Sequence, residues 1–197
     1  MRHAPVRATL VAGVCLAIVS CSPPSQPAQT RQADIEAEYR PTGTIKDIMD
    51  SIVDPSADVI WESVAEILTA AGTEERRPHT DDEWKTVRRA AIRILEATNL
   101  VQMPGREVAR SGEKAEHPGI ELPPEEIARL IAGDRSRFIS LAHGLHDAAR
   151  EALTAIDAHD GQSLFTAGEH LDRACESCHL VYWYPPGKAP VGGGSVR

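Results

Sequence analysis

Two cysteines and a histidine form a compact motif close to the end of the 197-residue chain. Cys175 and Cys178 are separated by two residues, and His179 follows directly. On a helix, side chains three residues apart emerge on one face, so both sulfurs can form thioethers with the two vinyl groups of one haem. His179 then supplies a ligand to the haem iron. The spacing of this cysteine–histidine motif therefore predicts one covalently attached haem c.

Three other kinds of site use similar residues. A zinc site needs two further ligands at suitable spacing, and the chain has no second cysteine pair of this kind. A thioredoxin-like redox pair belongs to a βαβ unit, whereas the pattern of this chain is helical. A local disulfide in an oxidising compartment would leave His179 without a role. Haem attachment accounts for all three motif residues and is the leading prediction.

The N-terminus has the pattern of an export signal. Arg2 and Arg7 provide positive charge, and the mostly apolar run over residues 8–19 is too short to span a bilayer. Residues 1–20 are therefore predicted to be a signal peptide. Covalent haem attachment of this kind takes place outside the cytoplasm, so the export signal and the cysteine–histidine motif support each other.

The signal ends in a sequence that resembles the bacterial lipoprotein box, Ile-Val-Ser-Cys at residues 18–21. The resemblance implies that Cys21 becomes the mature N-terminus and carries acyl chains that hold the protein at a membrane. The alternative is an ordinary signal peptide that is cleaved at a nearby small residue. The tract after Cys21 is rich in proline, serine and glutamine and cannot bury a core. Residues 21–42 are therefore predicted to be a lipid-attachment cysteine and a flexible tether.

The charge of the chain is acidic, with 21 Lys and Arg against 29 Asp and Glu and a formal net charge of −8. Loss of Arg2 and Arg7 with the signal leaves 19 basic residues against the same 29 acidic ones, a net charge of −10. This charge argues against nucleic acid as a partner. It would suit docking to a basic patch on a redox partner protein, although solubility alone also favours a net charge of this size.

Apolar residues recur at intervals of three and four over most of the chain, which is the period of one helix face. These stripes predict four helices, at about residues 44–72, 80–101, 124–156 and 161–184. Pro55 lies inside the first stripe and predicts a kink or a short break there. A long loop follows the second helix, and loops of this length are often functional, although a plain surface connection is the alternative.

Four amphipathic helices without a strand pattern predict an all-α fold, an antiparallel four-helix bundle over residues 43–184 with a haem near the C-terminal helix. The cysteines of the motif lie in phase with the apolar face of this last helix. Residues 185–197 begin with two prolines and contain a glycine run, so they are predicted to be a disordered tail.

A helical bundle with this motif in its last helix resembles the class II cytochromes c, the cytochrome c-prime group, over about residues 44–184. The resemblance implies a haem within the bundle, whose sixth iron position is either empty or filled by a methionine from the first helix. Met49 matches that methionine, because the start of the first helix approaches the end of the last one in an antiparallel bundle. Paired bundles are familiar in this family, so a homodimer is a further expectation.

The sixth iron ligand is therefore predicted to be Met49. The mature chain offers one other methionine, Met103, which precedes a Pro-Gly stop outside the main apolar stripes. The alternatives are an open sixth position or a histidine ligand. Among the histidines, His143 and His146 lie on the long third helix and could approach the core.

Three aromatic residues, Tyr182, Trp183 and Tyr184, follow the motif directly. They could wall the macrocycle and exclude water, which would raise its reduction potential by disfavouring the more charged ferric form. The alternative is that they only plug the end of the bundle.

These features predict an electron carrier rather than an enzyme. Iron held by His179 and Met49 has no open position for a substrate and changes its oxidation state with little rearrangement. The expected protein is a periplasmic, membrane-anchored monohaem cytochrome that exchanges electrons with redox partner proteins. The rival prediction is a five-coordinate haem protein that binds nitric oxide or carbon monoxide. A peroxidase would in addition need an acid–base residue such as His143 or His146.

Overall fold

A computed structural model of the chain describes residues 39–70, 72–184 and 186. The predicted signal peptide, the lipidation site Cys21, most of the tether and nearly all of the C-terminal tail lie outside the described residues. The described part is mostly helical and contains one two-stranded sheet, which agrees with the all-α class. Within this part of the chain, no helix combines the length and the apolar character that crossing a membrane requires.

The first helix, α1, is continuous but changes its winding twice. Two α-helical pieces, Ile45–Ile48 and Asp54–Ser63, flank a π-helical turn at Met49–Val53. Thr44 starts the helix with a capping box: its hydroxyl accepts from the Asp47 amide, and the Asp47 carboxylate accepts from the Thr44 amide. The box satisfies two amides that the first turn would otherwise leave unpaired.

The kink or short break predicted at Pro55 does not separate the helix, because a π turn directly precedes the proline instead. Proline has no amide hydrogen to donate to the carbonyl four residues earlier. The chain accommodates it by widening the preceding turn, in which the Asp54 amide donates to the Met49 carbonyl five residues back. Helix α1 therefore continues through Pro55 instead of separating into two helices.

A β-hairpin replaces the last turns that were predicted for the first helix, so α1 is shorter than expected. Strands β1, Ala65–Thr69, and β2, Gly72–Arg76, pair in antiparallel register. Ile67 and Leu68 continue the apolar spacing of α1, but they are 43% and 85% exposed. These two side chains therefore gain no burial that would favour a continued helix, and the chain forms a hairpin here. The position of Gly72 at the start of β2 suits that turn, because its φ of +130° is one that glycine adopts without strain.

Helix α2, Asp81–Val101, confirms the predicted second helix. Thr80 caps it through a capping box with Glu83, of the same kind that starts α1. Residues 102–123 follow without a regular helix or strand, which confirms the predicted long loop.

The predicted third helix is wrong in one respect, because the structure divides it into α3, Pro124–Gly133, and α4, Arg135–Asp157. Asp134 separates the two helices with φ −142° and ψ 69°, which lies outside the helical region. Its carboxylate accepts from the Arg137 amide at 3.0 Å and so caps the start of α4. The apolar period runs through both helices, which is why the period alone did not reveal the break.

Helix α5, Gly161–Tyr182, confirms the predicted fourth helix and carries the cysteine–histidine motif in its last two turns. Asp160 caps its start by accepting from the Ser163 amide at 3.0 Å. Helix α5 packs along α4 and against α1, while α2 packs against α1 and α4.

The buried apolar side chains form two neighbouring clusters. The first joins α1, α2, α4 and α5, and alanines on all four helices let the backbones approach closely. The second adds α3 and the end of the long loop, through Ile127, Ile131 and Leu122. Side chains of both clusters surround the cavity that the motif faces, so the predicted site lies where the two clusters meet.

Candidate haem-binding site

The three motif residues face a common cavity beside α5. Cys175, Cys178 and His179 are each half-buried, and both cysteines are free thiols. All three side chains line a cavity of about 290 Å³. The cysteines are three residues apart on a helix, so their sulfurs emerge on one side of it. The structure therefore brings together the residues that the sequence analysis singled out.

Helices α1 and α4 form the other walls of this cavity. Met49 and Val53 come from the π turn of α1, and Phe138 and Leu141 come from the first part of α4. Most of the lining side chains are apolar, which suits a cofactor with a hydrophobic ring system.

A second cavity of about 180 Å³ adjoins the first. The two share five lining residues, Met49, Asp54, Phe138, Cys178 and His179. Pockets for drug-sized ligands have volumes of about 300–1,000 Å³, and the two cavities together fall within this range. The joined space is therefore large enough for an organic cofactor, and its thiols and imidazole are the groups that attach and ligate a haem.

Three aromatic residues close the end of the second cavity. Tyr182 and Tyr184 are buried, and Trp183 is half-buried. The centroid of the His179 ring lies 5.7 Å from that of Trp183 and 6.2 Å from that of Tyr184. The phenol of Tyr182 is held by a hydrogen bond of 3.2 Å to the Asp134 carbonyl. These rings shield His179 from water.

Burial raises the pKa of Cys175 to about 12 and that of Cys178 to about 11. At Cys175, the carboxylates of Asp54 and Asp172 add to the effect of burial. Redox-active and zinc-binding cysteines act as thiolates, which a lowered pKa favours. In addition, residues 39–70, 72–184 and 186 hold no group of three His, Cys, Asp or Glu side chains arranged for a metal ion. The zinc and thioredoxin-like alternatives therefore gain no support from the described residues.

Burial also lowers the pKa of His179 below its ordinary value. The imidazole is therefore neutral at neutral pH, and the neutral ring has the lone pair that binds a metal. His170, earlier on the same helix, instead contacts Glu151 on α4, with 2.5 Å between its Nδ1 and the carboxylate.

Met49 begins the π turn of α1 and lines both cavities. Single π turns within α-helices occur frequently at functional sites. Met103, the other candidate methionine, lies in the long loop and lines neither of these cavities. Its sulfur accepts a hydrogen bond of 3.2 Å from the Arg106 guanidinium. The structure thus brings Met49, and not Met103, to the same space as His179.

No protein-family model, curated protein or solved structure matches this chain. The resemblance to the class II cytochromes c stays a prediction from the sequence. The arrangement of the side chains is therefore the evidence that bears on function.

The histidines considered as alternative ligands do not line the cavities. His143 is exposed on α4, and His146 lies 4.0 Å from the carboxylate of Asp147 with 37% of its side chain exposed. Neither residue lines the two cavities that His179 faces. An acid–base group for a peroxidase reaction is therefore not supplied by either of them.

A row of carboxylates is one part of the site that the sequence analysis missed, beside Lys46 and His117, which line the second cavity. Asp50, Asp54 and Asp58 are spaced by four residues on α1, and Asp54 lines both cavities. Desolvation raises the pKa of Asp54, and the carboxylates of Asp50 and Asp58 raise it further. The four-residue spacing is visible in the sequence and was the available signal. Negative charge at this position favours a positive charge inside the cavity.

Proposed function

We propose that this protein is a monohaem c-type cytochrome that carries electrons, with α1, α2, α4 and α5 forming an antiparallel four-helix bundle around the haem. The observation that carries the proposal is a shared cavity. Cys175, Cys178 and His179 from the last helix and Met49 from the first line one mostly apolar space. A zinc site, a thiol redox pair or a local disulfide would not use all four residues.

Haem supplies an iron that accepts and releases one electron. Cys175 and Cys178 would hold this group covalently through thioethers, and His179 would ligate the iron through its neutral imidazole. Met49, on α1 and lining the same cavity, would be the further residue able to hold the iron. The aromatic residues after the motif exclude water, which favours the less charged ferrous state.

The role of a carrier, rather than of an enzyme, follows from this set of ligands. With His179 and Met49 both bound, no coordination position is open to a substrate. Electron transfer then needs no movement of either ligand, because both come from helices packed into the apolar core.

We further propose that the protein acts in the periplasm, tethered to a membrane through acyl chains on Cys21. The apolar run and the lipoprotein-like sequence at residues 18–21 support this location, as does the need to attach haem outside the cytoplasm. At the membrane it would exchange electrons with redox partner proteins, and its acidic charge suits partners with a basic surface.

The proposal is tested by producing the full chain together with haem-ligation machinery and measuring its mass and its ferrous spectrum. We expect a mass gain of one haem and a sharp low-spin α band that does not change when carbon monoxide is added. Replacing both Cys175 and Cys178 by serine should abolish the mass gain. Colourless wild-type protein without iron would overturn the proposal.

A matched pair of histidines on α5 tests the axial ligand. His179→Ala should lose the low-spin spectrum, whereas His170→Ala should keep it because His170 contacts Glu151 instead of the cavity. A broad, high-spin wild-type spectrum that shifts with carbon monoxide would instead favour a five-coordinate protein that binds a diatomic gas.

A further inference from the structure

The loop at residues 102–123 is here named the cross-loop. It contacts both of the helices that carry the proposed iron ligands, α1 and α5. At α1, the Lys46 amide donates a hydrogen bond of 3.0 Å to the Val108 carbonyl. At the end of α5, the Leu122 amide donates one of 2.8 Å to the Trp183 carbonyl. Val108 and Trp183 both line the second cavity, so the cross-loop forms part of the wall between Met49's helix and His179's helix.

Lys46 is the charged centre of the contact between α1 and the cross-loop. Its Nζ lies 2.8 Å from a carboxylate oxygen of Glu113 and 2.8 Å from one of Glu116, and its side chain is only 15% exposed. The hydrogen bonds that the ammonium group donates to these two carboxylates raise the pKa of Lys46, so the group stays charged. Lys46 precedes Met49 by about one helical turn, and both residues line the second cavity.

Removal of this ammonium group would turn an attraction into a repulsion. Glu113 and Glu116 on the cross-loop and Asp50 on α1 act on one another electrostatically, and Lys46 offsets all three. Exposed ion pairs contribute little to stability. Lys46 differs from such pairs because its side chain is mostly covered and its ammonium contacts two carboxylates, so its loss leaves like charges facing each other across the contact.

We propose that Lys46 is a positioning residue for Met49: by holding the cross-loop on α1, it keeps the methionine at the iron and closes the sixth position to outside ligands. This inference depends on the proposed function, since it presumes a haem in the cavity. On this inference, the cross-loop determines whether the sixth iron position is closed, as in an electron carrier, or open to a gas.

Carbon monoxide is the probe, because it binds ferrous iron only where the sixth position is open. The apparent affinity for an external ligand is proportional to the fraction of molecules whose sixth position is open. A loosened cross-loop therefore raises the apparent affinity of the haem for carbon monoxide. In the full haem-loaded chain, Lys46→Gln should keep its covalent haem and bind carbon monoxide at concentrations that leave the wild-type spectrum unchanged. Its low-spin α band should weaken in parallel.

Three further variants separate positioning from a general loss of stability. Lys85→Gln on α2 removes a lysine that pairs with Asp82 at 3.1 Å but is 64% exposed, and it should leave the spectrum and the carbon monoxide affinity unchanged. Lys46→Arg keeps the positive charge and should therefore remain in the closed, low-spin form. A Glu113→Gln and Glu116→Gln double variant leaves α1 intact and removes the ion pairs that hold the cross-loop, so it should open the site in the same direction as Lys46→Gln. Its effect should be smaller, because no like charges are left facing each other across the contact.

The outcomes distinguish this inference from the proposed function. Wild-type protein without haem, or with a high-spin spectrum, would overturn the proposed function itself. If the wild type is low-spin, and Lys46→Gln and the double glutamate variant are both indistinguishable from it, only the role of Lys46 is overturned. If Lys46→Gln does not accumulate as folded protein, the double glutamate variant decides the question by the same two readouts.

Discussion

The indole N–H of Trp61 donates a hydrogen bond of 3.0 Å to the carbonyl oxygen of Gly168, and so joins α1 to α5. A Cβ atom at position 168 would lie 3.4 Å from Cδ1 of Trp61, at the edge of ordinary contact, so the glycine lets the indole lie close to the helix. Trp61 also lines the first cavity. The contact therefore fixes the spacing of the two helices that would carry the iron ligands.

Substitution of Trp61 by phenylalanine should weaken this link. The variant loses one half-buried hydrogen bond, and we expect the free energy of unfolding to fall by about 1 kcal/mol. Urea unfolding of the haem-loaded protein measures the change. Thr166→Ala, which removes an exposed hydroxyl on α5, should stay within about 0.5 kcal/mol of wild type. A loss at Trp61 no larger than the loss at Thr166 would show that the hydrogen bond is not stabilising.

Met49 and Met103 provide a matched test of the sixth ligand. Met49→Leu keeps a similar apolar volume at a cost below about 1.5 kcal/mol, but it removes the sulfur donor. We expect the ferrous spectrum to become high-spin and to respond to carbon monoxide. Met103→Leu removes a sulfur that contacts Arg106, and its spectrum should match wild type. Methionine ligation by Met49 is wrong if both variants keep the wild-type spectrum.

Asp54 should tune the reduction potential of the proposed haem. Its carboxylate lines both cavities, and an ionised carboxylate there stabilises ferric more than ferrous iron. Asp54→Asn should therefore raise the midpoint potential, by on the order of tens of millivolts, in a redox titration. Asp172→Asn removes a carboxylate that also acts on Cys175 but does not line the cavities, so its shift should be smaller. An equal shift in both variants, or a fall at Asp54, would contradict this assignment.

The cap of helix α5 should make stability depend on pH. Hydrogen bonds from the hydroxyl and amide of Ser163 hold the pKa of Asp160 below its ordinary value of 3.8. A lowered folded-state pKa stabilises the fold above the unfolded-state pKa, and this contribution is lost as the pH falls through the folded-state value. Asp160→Asn keeps a hydrogen-bond acceptor that does not titrate. Its free energy of unfolding should fall less steeply than that of wild type below about pH 4 in urea unfolding at stepped pH. Identical slopes would rule out this contribution.

Helices were predictable where the sequence contains both a start signal and a buried stripe. Helix α2 has Thr80 and Glu83 at its start and a buried face behind them, and its bounds agree with the prediction. The hairpin at Ile67 and Leu68 was not predictable from spacing, because these residues fit a helical period that tertiary structure leaves unburied. The break at Asp134 was missed because the period continues on both sides of it.

The motif of the candidate site was predictable because its three residues are adjacent in the chain. The proximity of Met49 to His179 followed only from the expected bundle and the family resemblance, and both residues line the same cavities. The contact between Lys46 and Glu113 joins residues 67 positions apart, and no local sequence pattern predicts it. Long-range pairs of this kind depend on how the loop returns over the helix, which only the three-dimensional structure reveals.

The cavity between α1 and α5 is assembled from the two ends of the folded part of the chain. Met49 and Cys175 line the same cavity although they are more than a hundred positions apart, so forming the cavity requires a long stretch of chain to close on itself. Helices α4 and α5, in contrast, are neighbours in sequence and can pair by local contacts alone. The pocket therefore exists only after the two ends of this long stretch have packed together, which makes it a late product of folding.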